Sequence, residues 1–168
     1  AHSNYDQFWK DRNIRPHLTN IKPATMVVGG FFDAEDTFGA LATYKAIEEQ
    51  NPESKNMLVM GPWFHGGWAR GTGAKFGDIN FGQPTSTWYQ QNVEFPFFQN
   101  LLKDKPSANL PEAMIFETGS NEWRRFETWP PKNTIQKNLF FHANGKLSFS
   151  PPTGNSDFEE YTSDPSKP

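Results

Sequence analysis

The sequence predicts an α/β fold followed by a β-rich region, and three segments carry the α/β part of that prediction. Two short apolar runs, at residues 24–28 and 56–60, each end in glycine, which is typical of strands buried on both faces of a parallel sheet. Between them, residues 34–50 show the apolar stripe of an amphipathic helix, which Asn51-Pro52 ends. A strand, a helix and a second strand in so short a span form a βαβ unit and therefore a parallel sheet.

The segments after this unit are a long loop and an interrupted helix. Residues 63–85 are rich in Gly and Trp, and a loop of this length is usually either functional or disordered. Residues 86–103 have helical character, and Pro96 is expected to kink or break that helix. The first 23 residues are polar and irregular.

A proline-containing stretch, KPSANLP, predicts a domain boundary between residues 105 and 106. We therefore expect one domain over residues 1–105 and a β domain over residues 106–168. The predicted strands of the second domain lie at residues 113–118, 123–128, 138–142 and 147–150. Asn144-Gly145 predicts a type I′ hairpin turn between the last two.

The composition argues against several classes of partner. Lys and Arg number 16 against 19 Asp and Glu, and this net charge of −3 argues against a nucleic-acid-binding protein. No apolar run approaches the ~18 residues of a membrane span, so no membrane partner is expected. The chain has no Cys and no histidine pair at metal-ligand spacing, so we expect neither a metal nor a cofactor. Aromatic residues are 15% of the chain, which predicts a core built largely from rings.

The residues most informative about chemistry lie directly after the two predicted parallel strands. Asp33 comes after the first strand in GGFFD, and His65 comes after the second in GPWFH. Ligands of an open parallel sheet bind beyond the carboxyl ends of its strands, so we expect the two side chains within hydrogen-bonding distance. Such a pair can act as orienting acid and general base for a nucleophile. Simpler interpretations are a helix N-cap for Asp33 and an ordinary loop position for His65.

Glu35 and Asp36 also allow two interpretations. At the second and third positions of the predicted helix, their carboxylates would stabilise the helix dipole. Together with Asp33 they could instead form an anionic pocket that selects a cationic group on a ligand.

A nucleophilic serine is missing from the expected context. Gly-x-Ser-x-Gly occurs nowhere in the sequence, and Ser120 lies in TGSNE, which lacks the trailing glycine. In α/β-hydrolases the triad has the order Ser, acid, His, whereas this chain starts with the acid. We therefore expect the chain to correspond to the later part of a longer enzyme.

The segment GGFFDAEDTFGALATYKAIEEQNP, together with NMLVMGPWFHGGW after it, closely resembles the α-amino acid ester hydrolases. These belong with the cocaine-esterase-like hydrolases, include proteins known as cephalosporin acylases, and are related to the X-prolyl dipeptidyl peptidases. LPEAMIFETGSNEWRRFETWPP is similar to the start of that family's C-terminal jelly-roll domain, and FEEYTSDPSKP to its Ser-Asp-Pro segment.

The resemblance implies the last βαβ portion of an α/β-hydrolase sheet followed by the start of a β-sandwich (jelly-roll) domain. It implies a serine hydrolase that cleaves esters or amides of α-amino acids, of the β-lactam acyl or N-terminal peptide type. Asp33 and His65 match the triad acid and base, and Glu35 and Asp36 match carboxylates that hold the substrate's α-ammonium group. The serine and the oxyanion hole lie outside this sequence, so the chain alone is expected to be inactive. The neighbouring rings, which either line an acyl pocket or pack in the core, are Phe32, Trp63, Phe64 and Trp68.

The sequence leaves two other functions open: a general carboxylesterase of the same fold, and a non-catalytic β-sandwich module whose aromatic residues stack on sugar rings. The expected partner is a small amino-acyl ester, amide or peptide, and formation of a homo-oligomer is left open. Relatives with this architecture are often exported, which favours a periplasmic or extracellular location.

Overall fold

The computed structural model describes residues 2–106, 108–154 and 160–167. The strands are β1 (Thr25–Gly30), β2 (Asn56–Gly61), β3 (Lys75–Phe76), β4 (Ile79–Asn80), β5 (Ala113–Glu117), β6 (Glu122–Phe126), β7 (Phe140–His142) and β8 (Lys146–Ser148). The helices are α1 (Gln7–Lys10), α2 (Thr37–Gln50), α3 (Thr85–Tyr89) and α4 (Phe95–Lys103), with a π-helical turn at Gln90–Glu94 and 3₁₀ turns at Arg15–His17 and Gly67–Ala69. The chain divides into two compact units, Ala1–Lys132 and Asn133–Pro168.

A four-stranded sheet in the order β1-β2-β5-β6 forms the centre of the first unit. The first three strands are parallel, and β6 pairs with β5 in antiparallel orientation. The register pairs Gly30 with Gly61, so β1 and β2 end at the same level. The predicted α/β fold with a parallel βαβ unit is confirmed.

Helices cover both faces of this sheet. Every residue of β2 is buried, as expected for a strand covered on both faces. On one face, Leu58 and Met60 pack against Tyr44 of α2. On the other, Met57 and Val59 face an aromatic cluster built from α3, α4, β6 and the loop after β2. Its rings include Trp63, Trp88, Tyr89, Phe97 and Trp123, so rings fill this side of the core as the composition predicts.

Pro96 lies just after the π-helical turn that joins α3 to α4. Proline has no backbone N–H and therefore interrupts the i→i−4 hydrogen-bond ladder of a helix. The π-helical turn immediately before Pro96 is wider than an α-helical turn and accommodates the missing hydrogen bond. The helical segment therefore continues to Lys103.

The boundary expected between residues 105 and 106 lies inside the first unit and is corrected by the structure to residues 132 and 133. β5, assigned from sequence to the β domain, is the third parallel strand of the α/β sheet. Four of its five residues are buried, and these are the apolar residues Ala113 to Phe116. The stretch KPSANLP is therefore the connection that returns from α4 to this sheet. The alternative of a separate sugar-binding β module is weakened, because β5 and β6, two of its predicted strands, belong to the α/β sheet.

The second unit contains a hairpin of β7 and β8 within its described residues. Asn144 and Gly145 both have positive φ, as a type I′ turn requires, so the predicted hairpin is confirmed. The start of a jelly roll stays a prediction. Phe158, Glu159 and Pro168 of the Ser-Asp-Pro segment lie outside the described residues. In the part of the chain that is described, no helix has the length and apolar character to cross a membrane.

Candidate active site

The ends of β1 and β2 are joined by close backbone contacts. Phe31 N–H donates to Gly61 O at 2.9 Å, and Phe32 N–H donates to Trp63 O at 3.1 Å. A Cβ atom at Gly30 would lie 2.1 Å from Trp63 O, so only glycine permits this approach. The two loops that leave the strands are therefore fixed next to each other.

Asp33 and His65 meet across these loops. Asp33 Oδ2 lies 3.0 Å from His65 Nδ1, within the hydrogen-bonding range expected from the sequence. Asp33 Oδ1 accepts the backbone N–H groups of Glu35 at 2.8 Å and Asp36 at 3.0 Å. One oxygen of Asp33 thus binds the turn that leads to α2 and the other binds histidine. The N-cap residue of α2 itself is Asp36 and not Asp33, and the catalytic role of Asp33 stays a prediction.

The surroundings of Asp33 favour its charged form. Burial by itself would raise the pKa of this carboxyl. The hydrogen bonds from the backbone of Glu35 and Asp36, and then that from His65, outweigh burial and hold the pKa below its usual value of 3.8. Asp33 is therefore a carboxylate at neutral pH, as a group that orients and stabilises an imidazolium must be.

We expect the carboxyl carbon of Asp33, followed by NMR, to titrate below pH 3.8 in this chain. Because the pKa is lower in the folded state, these contacts stabilise the fold above the usual pKa and are lost as the pH falls through the folded value. His65→Ala should raise the Asp33 midpoint, since it removes one of the stabilising partners, whereas His17→Ala should not. Equal midpoints in wild type and His65→Ala would contradict the contact.

The imidazole of His65 is half exposed. Its side chain is 53% exposed, whereas that of Asp33 is 3% exposed. Among the described residues, Nε2 has no hydrogen-bond partner, so it is free to exchange a proton with a substrate or nucleophile.

A second Asp–His pair, unnoticed in the sequence, joins His2 Nδ1 to Asp6 Oδ2 at 2.7 Å. Asp6 is 45% exposed, so water screens this pair and its geometry does little to fix a tautomer. The spacing of four residues around the start of α1 was the sequence signal that could have revealed it.

Glu35 and Asp36 are exposed beside Asp33. α2 begins at Thr37, so the two residues precede the helix and do not occupy its second and third positions. The reason is that Asp33 Oδ1 accepts hydrogen bonds from their backbone N–H groups, which places both residues in a separate turn before the helix. Neither side-chain carboxylate has a hydrogen-bond or ion-pair partner among the described residues.

The carboxylate of Asp36 lies over Gly39 in the first turn of α2. A Cβ atom at position 39 would meet Asp36 Oδ1 at 1.7 Å. The φ angle of Gly39 is in the ordinary range, so its backbone does not require glycine. A Cβ atom there would instead require the exposed carboxylate of Asp36 to move aside.

The four aromatic residues flanking the acid and base separate into different environments. Trp63 is 2% exposed and donates its indole N–H to Thr85 Oγ1, so it belongs to the core and not to an acyl pocket. Phe64 is exposed, and the ring of Trp68 lies edge-on to that of His65 with centroids 6.4 Å apart. Phe32 lines a cavity of about 420 Å³ at the same edge of the sheet. Sequence reasoning missed its other aromatic walls, which are Phe31, Phe116, Phe126 and Trp129.

No group of three or more His, Cys, Asp or Glu side chains in the described part of the chain could hold a metal ion. The arrangement therefore offers a carboxylate–imidazole pair, two unpaired carboxylates and an aromatic cavity.

Residues 1–67 match the family model for the X-Pro dipeptidyl-peptidases (S15 family). The cocaine esterase of Rhodococcus sp. (strain MB1 Bresler) is 24% identical over 153 residues, which cover 89% of this chain and 25% of the esterase. A solved α-amino acid ester hydrolase is 37% identical with a TM-score of 0.87, over 99% of this chain and 29% of the hydrolase. The chain is thus similar to hydrolases of this kind.

Another structural relative is an aminopeptidase from the marine sediment archaeon Thaumarchaeota archaeon. It is 36% identical, with a TM-score of 0.88, and the match covers 98% of this chain and 27% of the aminopeptidase. The chain thus spans between a quarter and a third of the length of these relatives. The resemblance noted from GGFFDAED and GPWFHGGW is confirmed, and the family's members include esterases and peptidases.

Proposed function

We propose that this chain supplies the acid and the base of a serine hydrolase that cleaves esters or amides of α-amino acids. The observation that carries the proposal is the hydrogen bond of 3.0 Å from His65 Nδ1 to a buried carboxylate, with Nε2 free. This favours the imidazole tautomer that accepts a proton at Nε2. We assign the first unit to the catalytic domain and the second to the start of a jelly-roll domain.

In the proposed reaction, a serine hydroxyl attacks the ester or amide carbonyl while His65 Nε2 takes its proton. Asp33 holds the ring in place and stabilises the imidazolium that forms. His65 then returns the proton to the departing alcohol or amine, and an acyl-enzyme remains. Water, deprotonated by the same nitrogen, releases the acid.

The nucleophile is proposed to come from polypeptide outside these 168 residues. Ser120, which lies in the turn between β5 and β6, donates its hydroxyl to Glu117 and not to His65. Ser86 is fully buried and donates to Gly67 O. Neither serine is available to Nε2.

We expect this chain alone to give no burst of p-nitrophenol when mixed with a p-nitrophenyl amino-acyl ester, because it has no activated serine. Stopped-flow absorbance at a known chain concentration measures this directly. A burst equal to the chain concentration, together with an acyl adduct by mass spectrometry, would show that the chain contains its own nucleophile.

The amino-acyl preference rests on Glu35 and Asp36. Two exposed carboxylates without partners among the described residues lie next to the carboxylate that orients the base. A substrate whose α-ammonium group lies next to the scissile carbonyl would supply the missing partner. The two structural relatives, named as an aminopeptidase and an α-amino acid ester hydrolase, are consistent with such a substrate.

A general carboxylesterase is the second candidate, because the curated relative is a cocaine esterase. Both candidates use the same acid and base. They differ only in whether Glu35 and Asp36 contact the substrate, and removing both charges therefore distinguishes them.

A further inference from the structure

The loop that carries His65, residues 62–68, contains two consecutive glycines directly after the histidine. His65 is followed by Gly66, which has a φ of 74°, and by Gly67. Glycine has the greatest backbone freedom of any residue, so this loop needs external contacts to hold the imidazole at a fixed place. The backbone hydrogen bond from Phe32 to Trp63 O holds the loop before His65, and the residues after His65 need contacts of their own.

Three side chains, two at the start of α3 and one in the π-helical turn that follows it, supply such contacts. Thr85 Oγ1 accepts the indole N–H of Trp63 at 2.9 Å. Ser86 Oγ donates to Gly67 O at 2.9 Å. Gln90 Nε2 donates to Trp68 O at 2.8 Å from the first position of the π-helical turn, one helical turn after Ser86.

These contacts surround His65 along the chain. One holds the residue two positions before it, and the other two hold the residues two and three positions after it. Thr85 and Ser86 are both fully buried, where the hydrogen bonds are protected from competition by water. Thr85 also donates to Gly73 O at 2.7 Å, so its hydroxyl is engaged as both donor and acceptor.

Packing alone does not account for these side chains. A buried position in the first turn of a helix is filled more favourably by alanine than by serine when no partner needs the hydroxyl. The loop around Gly73 is also shaped by the two hydroxyls, because a Cβ atom at Gly73 would lie 2.1 Å from Ser86 Oγ.

We propose that Ser86 and Gln90, supported by Thr85, are positioning residues that hold the His65 loop so that Nδ1 faces Asp33. The proposal rests on the proposed function, in which His65 is the base. It assigns to α3 a role in catalysis without contact with the substrate. The tether acts on the backbone of residues 67 and 68, and through it on the orientation of the imidazole.

The test compares Gln90→Glu with Gln91→Glu in the 168-residue chain. Glutamate is nearly isosteric with glutamine, but its carboxylate cannot donate to Trp68 O. Gln91 is the exposed neighbour and receives the same charge change away from the His65 loop contacts, so it is the matched control. Ser86→Ala is a second variant that removes the other donor, and circular dichroism reports whether each variant folds.

The readout is the pair of imidazole ¹⁵N shifts of His65, which report its tautomer. In the wild type and in Gln91→Glu we expect neutral His65 to carry its proton on Nδ1. In Gln90→Glu and in Ser86→Ala, the population with the proton on Nε2 should rise at least severalfold. If folded Gln90→Glu and Ser86→Ala both keep the wild-type tautomer, the positioning role is wrong while the proposed function stands. If neutral His65 in the wild type carries its proton on Nε2, the proposed function itself is contradicted.

In the complete hydrolase, Gln90→Glu is expected to lower kcat about 10- to 100-fold, the size of effect that a misplaced catalytic group produces, with little change in KM. Gln91→Glu should leave both constants unchanged. A fall in kcat of the same size in Gln91→Glu would assign the effect to charge and overturn the proposal.

Discussion

Asp33→Asn is expected to lower kcat/KM of the complete hydrolase by about 10⁴-fold, the size of effect found when a triad acid is replaced by its amide. The structure gives the physical reason for this expected loss of rate. The backbone N–H groups of Glu35 and Asp36 both point at the oxygen that is not bound to His65. The carbonyl oxygen of an asparagine must occupy that place, which directs its NH₂ group toward His65 Nδ1.

An NH₂ group facing Nδ1 donates a hydrogen bond and therefore selects the tautomer with the proton on Nε2. That nitrogen can then no longer accept a proton from a nucleophile. The imidazole ¹⁵N shifts of His65 in the 168-residue chain should show this change of tautomer, and ester hydrolysis by the complete enzyme should show the loss of rate.

Asp6→Asn is the matched control, because it makes the same change in the exposed pair of Asp6 and His2. Its activity is expected to equal that of the wild type. Asp33→Asn with unimpaired activity, in a correctly folded enzyme, would remove Asp33 from the catalytic machinery.

Glu35→Gln combined with Asp36→Asn is expected to lower kcat/KM for a phenylglycine methyl ester about tenfold or more. A hydrogen bond to a charged group contributes about 1.5–3 kcal/mol, and the exposed setting places the expectation at the lower end, near the 1.4 kcal/mol of a tenfold change. The matched phenylacetic ester has no amine, so its hydrolysis should change little. Raising the pH above the amine's pKa should erode the preference in the wild type, because the neutral amine loses its charge.

Glu49→Gln combined with Glu53→Gln removes two negative charges at and just beyond the opposite end of α2. It controls for a change in net charge and should not alter the ratio between the two esters. Equal losses on both esters in Glu35→Gln/Asp36→Asn would mean that these residues support only the fold. The general carboxylesterase would then be the better assignment.

The βαβ unit and the meeting of Asp33 with His65 could be predicted because both depend on local patterns. Short apolar runs that end in glycine fix two adjacent strands, and the geometry of a parallel sheet brings the residues just beyond those strands to one edge. The place of β5 could not be predicted in this way. Its apolar residues suit a strand of either domain, and its partner β2 lies more than 50 positions earlier in the chain.

The start of α2 shows how one side chain changes local structure. Helix signals alone place Glu35 and Asp36 inside the helix. Asp33, held by a histidine 32 positions later, instead draws their N–H groups into a turn. Likewise, no periodicity separates the buried Trp63 from the exposed Phe64, because their environments depend on Thr85 and on the close approach of the two strand ends.

Gly39→Ala is an obvious substitution for stabilising α2. Alanine is favoured over glycine inside a helix by about 1 kcal/mol, and the backbone here would accept it. The methyl group would, however, occupy the place of the Asp36 carboxylate. Under the proposed function, Gly39→Ala would stabilise α2 and at the same time displace a carboxylate of the substrate site. Greater helix stability would therefore come at the expense of the proposed preference for amino-acyl substrates.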